Sequence, residues 1–333
     1  MHSCGFGQVG NMGEVFARRY ELLEPIAEGG MGSVWMVRDH QDGTVCAAKL
    51  LRHSDAGSLL RFMREQSTRI HHAHVVTPKS WVGEDDTVLF TMPLVRGGSV
   101  AALVGDWGAL PEAWVRVILD QTLDALSAVH AAGVIHRDVK SANLLLEPSG
   151  SAPPHVRLTD FGIAAPLDQP RLTAATTALG TRGYAAPEQL DGADPDPRQD
   201  LFALATVGLE MLIGHPPPFT TEELPATPLG GLLAEARNPD PSRRPDSAEA
   251  MRSSLRELGA PVAWDPAGVE VLDQFAPGAP PPSPSLSSSP PPSVSEPTLV
   301  LSRSDGPPAL WPVLLLLLVG VGLLVVSGLL LLG

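Results

Sequence analysis

A chain of 333 residues, 44% of them hydrophobic, has material for one large domain or two ordinary ones, each with a real core. Its formal charge of −14 and pI near 5.1 argue against nucleic acid or an anionic lipid surface as partner. Two cysteines, Cys4 and Cys46, make no disulfide framework and fit reduced thiols in a cytosolic compartment.

No basic stretch followed by an apolar run opens the chain, so no signal peptide is read there. Residues 1–19 contain glycine, are weakly patterned and are expected to be loose. Residues 20–26 read as a strand, Ala27-Glu28-Gly29-Gly30-Met31-Gly32 as a flexible turn and 33–37 as the return strand. A glycine-dense tip lets backbone N–H groups approach phosphate oxygens because no Cβ intervenes. In isolation an ordinary β-turn accounts for it equally well. Residues 45–51 are β-type, with Lys49 in an apolar setting where it must snorkel outward or meet an anion. Helical sequence over 58–71 carries Glu65, a candidate carboxylate partner; ordinary surface charge is the bland alternative for both. His71, His72 and His74 resemble a metal cluster, but no further ligand follows at suitable spacing, and a metal site there is not expected. Residues 81–82 and 87–92 form a further hairpin, Gly97-Gly98-Ser99 closes the β-rich part, and helices follow over 112–132, 200–213 and 247–258.

Between these helices lies His136-Arg137-Asp138-Val139-Lys140-Ser141-Ala142-Asn143, after an apolar helical run and before the apolar strand 144–146. A base, a cation and an amide together on one loop suggest catalysis rather than packing. Asp160, after a strand and before Phe161-Gly162, is placed to hold a cation or to start a turn. From 259 to 312 the composition shifts to Pro and Ser, as in an extended disordered spacer, although apolar residues over 262–275 could pack back on the domain. Residues 313–333 are Leu, Val and Gly with one Ser, and span about 31 Å as a helix, enough to cross a bilayer. Trp311 suits the interfacial belt. The expectation is a transmembrane helix ending a tail-anchored, single-pass protein.

In order, the chain shows a glycine-rich hairpin, a strand lysine, a helix glutamate, the loop H-R-D-x-x-x-x-N, Asp160-Phe161-Gly162 and Ala186-Pro187-Glu188. This set resembles the Hanks-type, eukaryotic-like serine/threonine protein kinases, especially their bacterial membrane-anchored branch, over residues 20–258. The resemblance implies an α+β, bilobal protein-kinase fold with a β-rich N-lobe (20–93) and a mainly helical C-lobe (94–258). The spacer (259–312) and a C-terminal single transmembrane helix (313–333) would follow, with the kinase domain on the cytoplasmic side of the cell membrane. It further implies a non-specific serine/threonine protein kinase that uses ATP with Mg²⁺, or with Mn²⁺ in its place, on protein substrates bearing Ser or Thr.

Family roles then fall on matching positions. Lys49, paired to Glu65, would hold the α- and β-phosphates. Asp138 would orient the substrate hydroxyl and accept its proton, and Lys140 would neutralise the γ-phosphate during transfer. Asp160 and Asn143 would hold metal. Ala27, Gly29, Gly32, Val34, Ala47, Met92, Pro93 and Val95 would line the ATP site, Pro93 and Val95 as hinge. Glu188 would pair with Arg244, and Asp200 would brace the catalytic loop. Arg137 implies an activation segment ordered by phosphate, with Thr173, Thr176 and Thr177 as candidate sites and Thr181 in the loop beside the substrate. Three departures stand out: Ala27 replaces the first loop glycine, the 147–154 turn is long, and 219–238 is too short for an additional substrate-docking helix. A pseudokinase scaffold is the alternative, small-molecule phosphotransfer a third. The sequence leaves open whether a homodimer supports trans-autophosphorylation.

Overall fold

Strict alternation marks the best-patterned strand of the N-terminal half. The computed structural model describes residues 10–29, 32–52, 70–84, 87–160, 183–259 and 264–276. Here β3 (Gly32–Asp39) alternates half-buried and buried positions over most of its length, turning Trp35 and Val37 inward. It belongs to an antiparallel sheet with β1 (Val15–Phe16), β2 (Tyr20–Gly29), β4 (Val45–Arg52), β5 (Ser80–Glu84) and β6 (Thr87–Met92). The strand order is β1-β2-β3-β4-β6-β5. One face carries Phe16, Tyr20, Leu22, Trp35, Val37, Ala48, Leu50 and Leu89. The other carries Ala47, Leu51, Val88, Phe90 and Met92 and reaches Leu145 of the helical part.

Within the segment expected to be loose, residues 10–19 are paired to the sheet. Val15 and Phe16 pair with Glu21 and Tyr20. The Gly13 N–H donates to the Leu22 carbonyl at 2.7 Å, and the Leu22 N–H to that of Glu14 at 2.8 Å. The hairpin turns on Ala17 and Arg18, both left-handed at φ +51° and +57°. Such turns ordinarily signal themselves with Asn or Gly. Burial of Phe16 at 6% exposure holds this one in place.

The helical part is built around two helices. α1 (Val100–Trp107) leads into α2 (Glu112–Ala131), which buries Trp114, Val115, Ile118, Leu119, Leu123, Leu126 and Val129. α3 (Pro187–Asp191) precedes α4 (Pro197–Ile213), in which every residue from Gln199 to Met211 is buried. A helix that is apolar nearly all round belongs at the centre of a domain. Asp196 caps it, Pro197 occupies its first turn, and Gly214 ends it in a left-handed turn. It therefore begins three residues before the periodic pattern suggests. α5 (Pro228–Ala236) and α6 (Ala248–Glu257) pack beside it. A short hairpin, β7 (Leu144–Glu147) and β8 (His155–Leu158), lies between α2 and α3 in the chain.

The domain does not stop at 258. Val269 and Val271 are buried at 4% and 1% exposure in the main core, so the folded unit extends through the described residues 264–276. Among the described residues no helix is long and apolar enough to cross a membrane. The remainder of the spacer and the apolar segment 313–333 lie outside the described residues. So do Glu65 and the threonines Thr173, Thr176, Thr177 and Thr181.

Candidate active site

After α2 the chain reverses through Gly133 and runs as a loop to Asn143, leaving backbone N–H groups without helix or strand partners. Asp200, in the first turn of α4 and 1% exposed, supplies two of them. Its carboxylate accepts from the His136 N–H at 2.9 Å and the Arg137 N–H at 2.8 Å, and also meets His130 Nε2 at 2.8 Å. The His136 ring is fully buried, with Nε2 2.9 Å from the Thr159 carbonyl and Nδ1 accepting from the Asp138 N–H at 3.3 Å. One imidazole thus ties the loop to the end of β8. Arg137 turns the chain at φ +65°, and its carbonyl accepts from Gln189 of α3 at 2.9 Å.

Held this way, the loop gathers its polar groups. Asp138 Oδ2 lies 2.9 Å from Lys140 Nζ and 3.0 Å from Asn143 Nδ2, which also donates to the Asp138 carbonyl at 2.8 Å. Asn143 spends its amide hydrogens on Asp138, so the atom it can offer a hard cation is its carbonyl oxygen. The β7–β8 register pairs Leu144 with Leu158, and the Thr159 N–H donates to the Asn143 carbonyl at 3.0 Å. Strand pairing thus brings Thr159, the neighbour of Asp160, onto Asn143. A carboxylate and an amide oxygen are the donor types that suit Mg²⁺.

Asp160 adopts a left-handed backbone, φ +61°, and its Oδ1 is 2.7 Å from Lys49 Nζ. Lys49 sits on β4 between Val34 of β3 and Phe90 of β6. Among the described residues its ion-pair partner is thus Asp160, a juxtaposition that the sequence reading, with Glu65 in mind, did not foresee. The pair bridges the sheet and the residues that follow β8.

Of the positions expected to line a nucleotide pocket, Val34, Ala47, Met92 and Val95 share one apolar cluster. Ala27 pairs with Val34 across β2 and β3, Gly29 with Gly32 at the tip, and Ala47 with Met92 across β4 and β6. Ala47, Met92 and Val95 are buried in one apolar cluster, with Val34 and Leu94 packed on it. Leu145 joins the same cluster from β7 and was not anticipated. Alternation along β7 holds the reason: Leu144 and Leu146 are buried in the helical core, so Leu145 must face the other way.

The outer side of the loop is anchored by groups the sequence reading passed over. Ser141 Oγ donates to Glu210 Oε1 at 2.8 Å, and the Tyr184 hydroxyl to Oε2 at 2.9 Å. Burial pushes the Glu210 carboxyl above its ordinary range. Burial, and the Glu210 charge beside it, raise the Tyr184 hydroxyl likewise. A glutamate inside the apolar run of α4 was the only available signal. Arg244, its side chain fully buried, holds Glu188 through two hydrogen bonds of 2.7 and 2.8 Å and stacks on Phe202 at 4.9 Å. Burial would lift the Glu188 carboxyl, but the bonds from Arg244 hold it below its usual value. In the short stretch 219–238 there is a single 3₁₀ turn, Thr221–Glu223, and then α5, whose Leu229, Leu232 and Leu233 are committed to the core. No residues remain there for a further helix.

Known sequences agree with this geometry. The family described as the protein kinase domain matches residues 20–251. Serine/threonine-protein kinase PkaB of Streptomyces coelicolor is 40% identical over 218 residues, 62% of this chain and 51% of that protein. Serine/threonine-protein kinase pkn3 of Myxococcus xanthus is 33% identical over 279 residues, 74% of this chain and 51% of its own length. Serine/threonine-protein kinase PknA of Mycobacterium tuberculosis is 36% identical over 216 residues, 62% and 49% of the respective chains. The chain spans about half the length of the curated relatives it matches.

Proposed function

The chain belongs to the protein kinase family, and we propose that it transfers the γ-phosphate of ATP to serine and threonine hydroxyls of protein substrates. The observation that carries this reading is the convergence of Asp138, Lys140 and Asn143 within 3.0 Å on a loop braced by Asp200. Phosphoryl transfer asks the protein mainly for positioning and charge neutralisation.

Asp138 orients the incoming hydroxyl and accepts its proton as the new O–P bond forms and the bond to the departing ADP oxygen breaks. Lys140 reaches the same place and offsets charge on the moving phosphoryl group. Bound Mg²⁺, held by Asp160 and Asn143, would neutralise the phosphates and the leaving group. Lys49, paired to Glu65, grips the α- and β-phosphates. Val34, Ala47, Met92, Val95 and Leu145 supply an apolar slot for adenine, with Pro93 and Val95 offering backbone polar groups. Ala27, Gly29 and Gly32 cover the phosphates.

Lys140 favours alcohol hydroxyls over phenols in this reading. The test is one peptide made in serine, threonine and tyrosine versions: phosphate on the first two supports the specificity, and phosphate on the tyrosine version alone contradicts it. A nucleotide-binding scaffold without transfer is the second reading; Ala27 and the short stretch 219–238 favour it.

Two further parts of the proposal rest on sequence. Phosphate on Thr173, Thr176 or Thr177 would neutralise Arg137 and order the segment. Mass spectrometry after incubation with Mg·ATP, beside an Asp138→Asn control, checks it; active enzyme with all three unmodified rejects it. Residues 313–333 anchor the chain in the cell membrane with the kinase domain on the cytoplasmic side. Alkaline carbonate should leave the full chain in the membrane pellet; release into the supernatant would contradict the anchor.

A further inference from the structure

Two peculiarities of the sequence, the long turn at 147–154 and the apolar residues at the start of the Pro/Ser-rich spacer, meet in the structure. The N–H groups of Ser149 and Gly150 donate to the Val271 carbonyl at 3.1 and 2.9 Å, and the Val271 N–H donates back to Gly150 at 2.9 Å. Trp264 donates from Nε1 to the Ser151 carbonyl at 3.0 Å, and its ring lies 5.0 Å from that of the buried Trp114. The long turn is a receptor for the segment that follows the last helix.

That segment then runs on to the residues just after the hinge. The Gln274 N–H donates to the Arg96 carbonyl at 2.8 Å, and Arg96 Nε bonds Asp273 Oδ2 at 2.9 Å. From the other side β7 holds the same stretch: the Gly97 N–H donates to the Leu146 carbonyl and the Leu146 N–H to that of Gly98, both at 2.8 Å. Residues 96–98 are clasped between β7 and the tail. The glycine pair fits this clasp. A Cβ on Gly97 would lie 2.6 Å from Val271 Cγ1, and one on Gly98, at φ +80°, would lie 2.2 Å from the Gln274 amide.

We propose that residues 264–276 are a positioning strap for the nucleotide cleft, fixing the hinge at Pro93–Val95 through Arg96, Gly97 and Gly98. The inference rests on the kinase reading above, because it assigns the hinge its nucleotide. A hinge ordered before binding loses less conformational freedom when ATP arrives, so the strap acts on affinity. The chemical step, run by the loop 136–143, does not touch it.

The test uses the full chain and two variants: Val271→Asp, which drives a charge into the buried anchor, and the partly exposed pair Asp273→Ala with Gln274→Ala. Both should raise KM for ATP by about fivefold or more while kcat stays within about twofold, as expected when pre-ordering of a binding element is lost. Hydrogen exchange over 264–276 reports release of the strap. Unchanged KM for ATP with the strap released would overturn the proposal, and the double variant decides the point alone if Val271→Asp does not fold. Wild-type protein that neither binds ATP nor transfers phosphate would overturn the kinase reading and the strap's role with it. Wild-type transfer with unaltered KM in both variants would overturn the strap alone.

Discussion

At the catalytic loop, the N–H groups of His136 and Arg137 depend on one side chain, Asp200, which accepts both from within the first turn of a buried helix. Asp200→Ala removes the acceptor of both amides, at about 1–3 kcal/mol for the buried His136 N–H and less for the half-buried Arg137 N–H. Thermal unfolding should fall accordingly and transfer should fall with it, because Asp138 loses its fixed position; Asp200→Asn, which keeps one acceptor, should lie between. Glu210 offers a pH-dependent counterpart. Burial raises its carboxyl above the ordinary value of 4.5, so the folded state holds this proton more tightly than the unfolded chain does. Its contribution is therefore complete below that value and is lost as pH rises. Glu210→Gln removes the ionisation, so its melting temperature relative to wild type should climb between about pH 5 and pH 8. A difference that stays flat across that range would contradict the assignment.

Elements convert these residue contacts into geometry. The β7–β8 register brings Thr159, next to Asp160, onto Asn143, and the turn from α2 directs His136 toward Thr159. In the outer part of the helical region the comparable link is Arg244, which ties the residues before α6 to Glu188 of α3 and stacks on Phe202 of α4. Its buried guanidinium also donates to the carbonyls of Asn238, Pro239 and Arg198. Arg244→Ala strands a carboxylate and three carbonyls and should cost about 3–5 kcal/mol in chemical denaturation, with Glu188→Gln costing less. Equal, negligible losses for both would mean the pair is dispensable.

Strand β3 and helix α2 were legible because each presents one apolar face at a fixed period. The loop 136–143 was legible because its chemistry is local in sequence: acid, cation and amide fall within six residues. What stayed hidden depends on distant partners. The β1–β2 turn uses Ala17 and Arg18 where Asn or Gly would have announced it, and its supports are remote: Phe16 is buried and the Ala17 N–H donates to Glu84 Oε2 at 2.8 Å. Glu210 looks like a misplaced charge until Ser141 and Tyr184 are brought to it. The apolar residues over 262–275 signalled that the tail packs back, but not that the 147–154 turn is where Val271 is received.

At the scale of the whole molecule, a β-rich half presents Lys49 and a helical half presents Asp138, Asn143 and Asp160, and the Lys49–Asp160 pair joins them across the cleft. Kinase activity requires that these groups act together on ATP. The most direct measurement is γ-phosphate incorporation into a serine/threonine protein substrate by the full chain, with Lys49→Met and Asp138→Asn alongside. Wild type should transfer phosphate, and each variant should fall by at least about 10²-fold, the scale on which a positioned general base or charge contributes. Equal incorporation by all three proteins would contradict the kinase mechanism built on these residues.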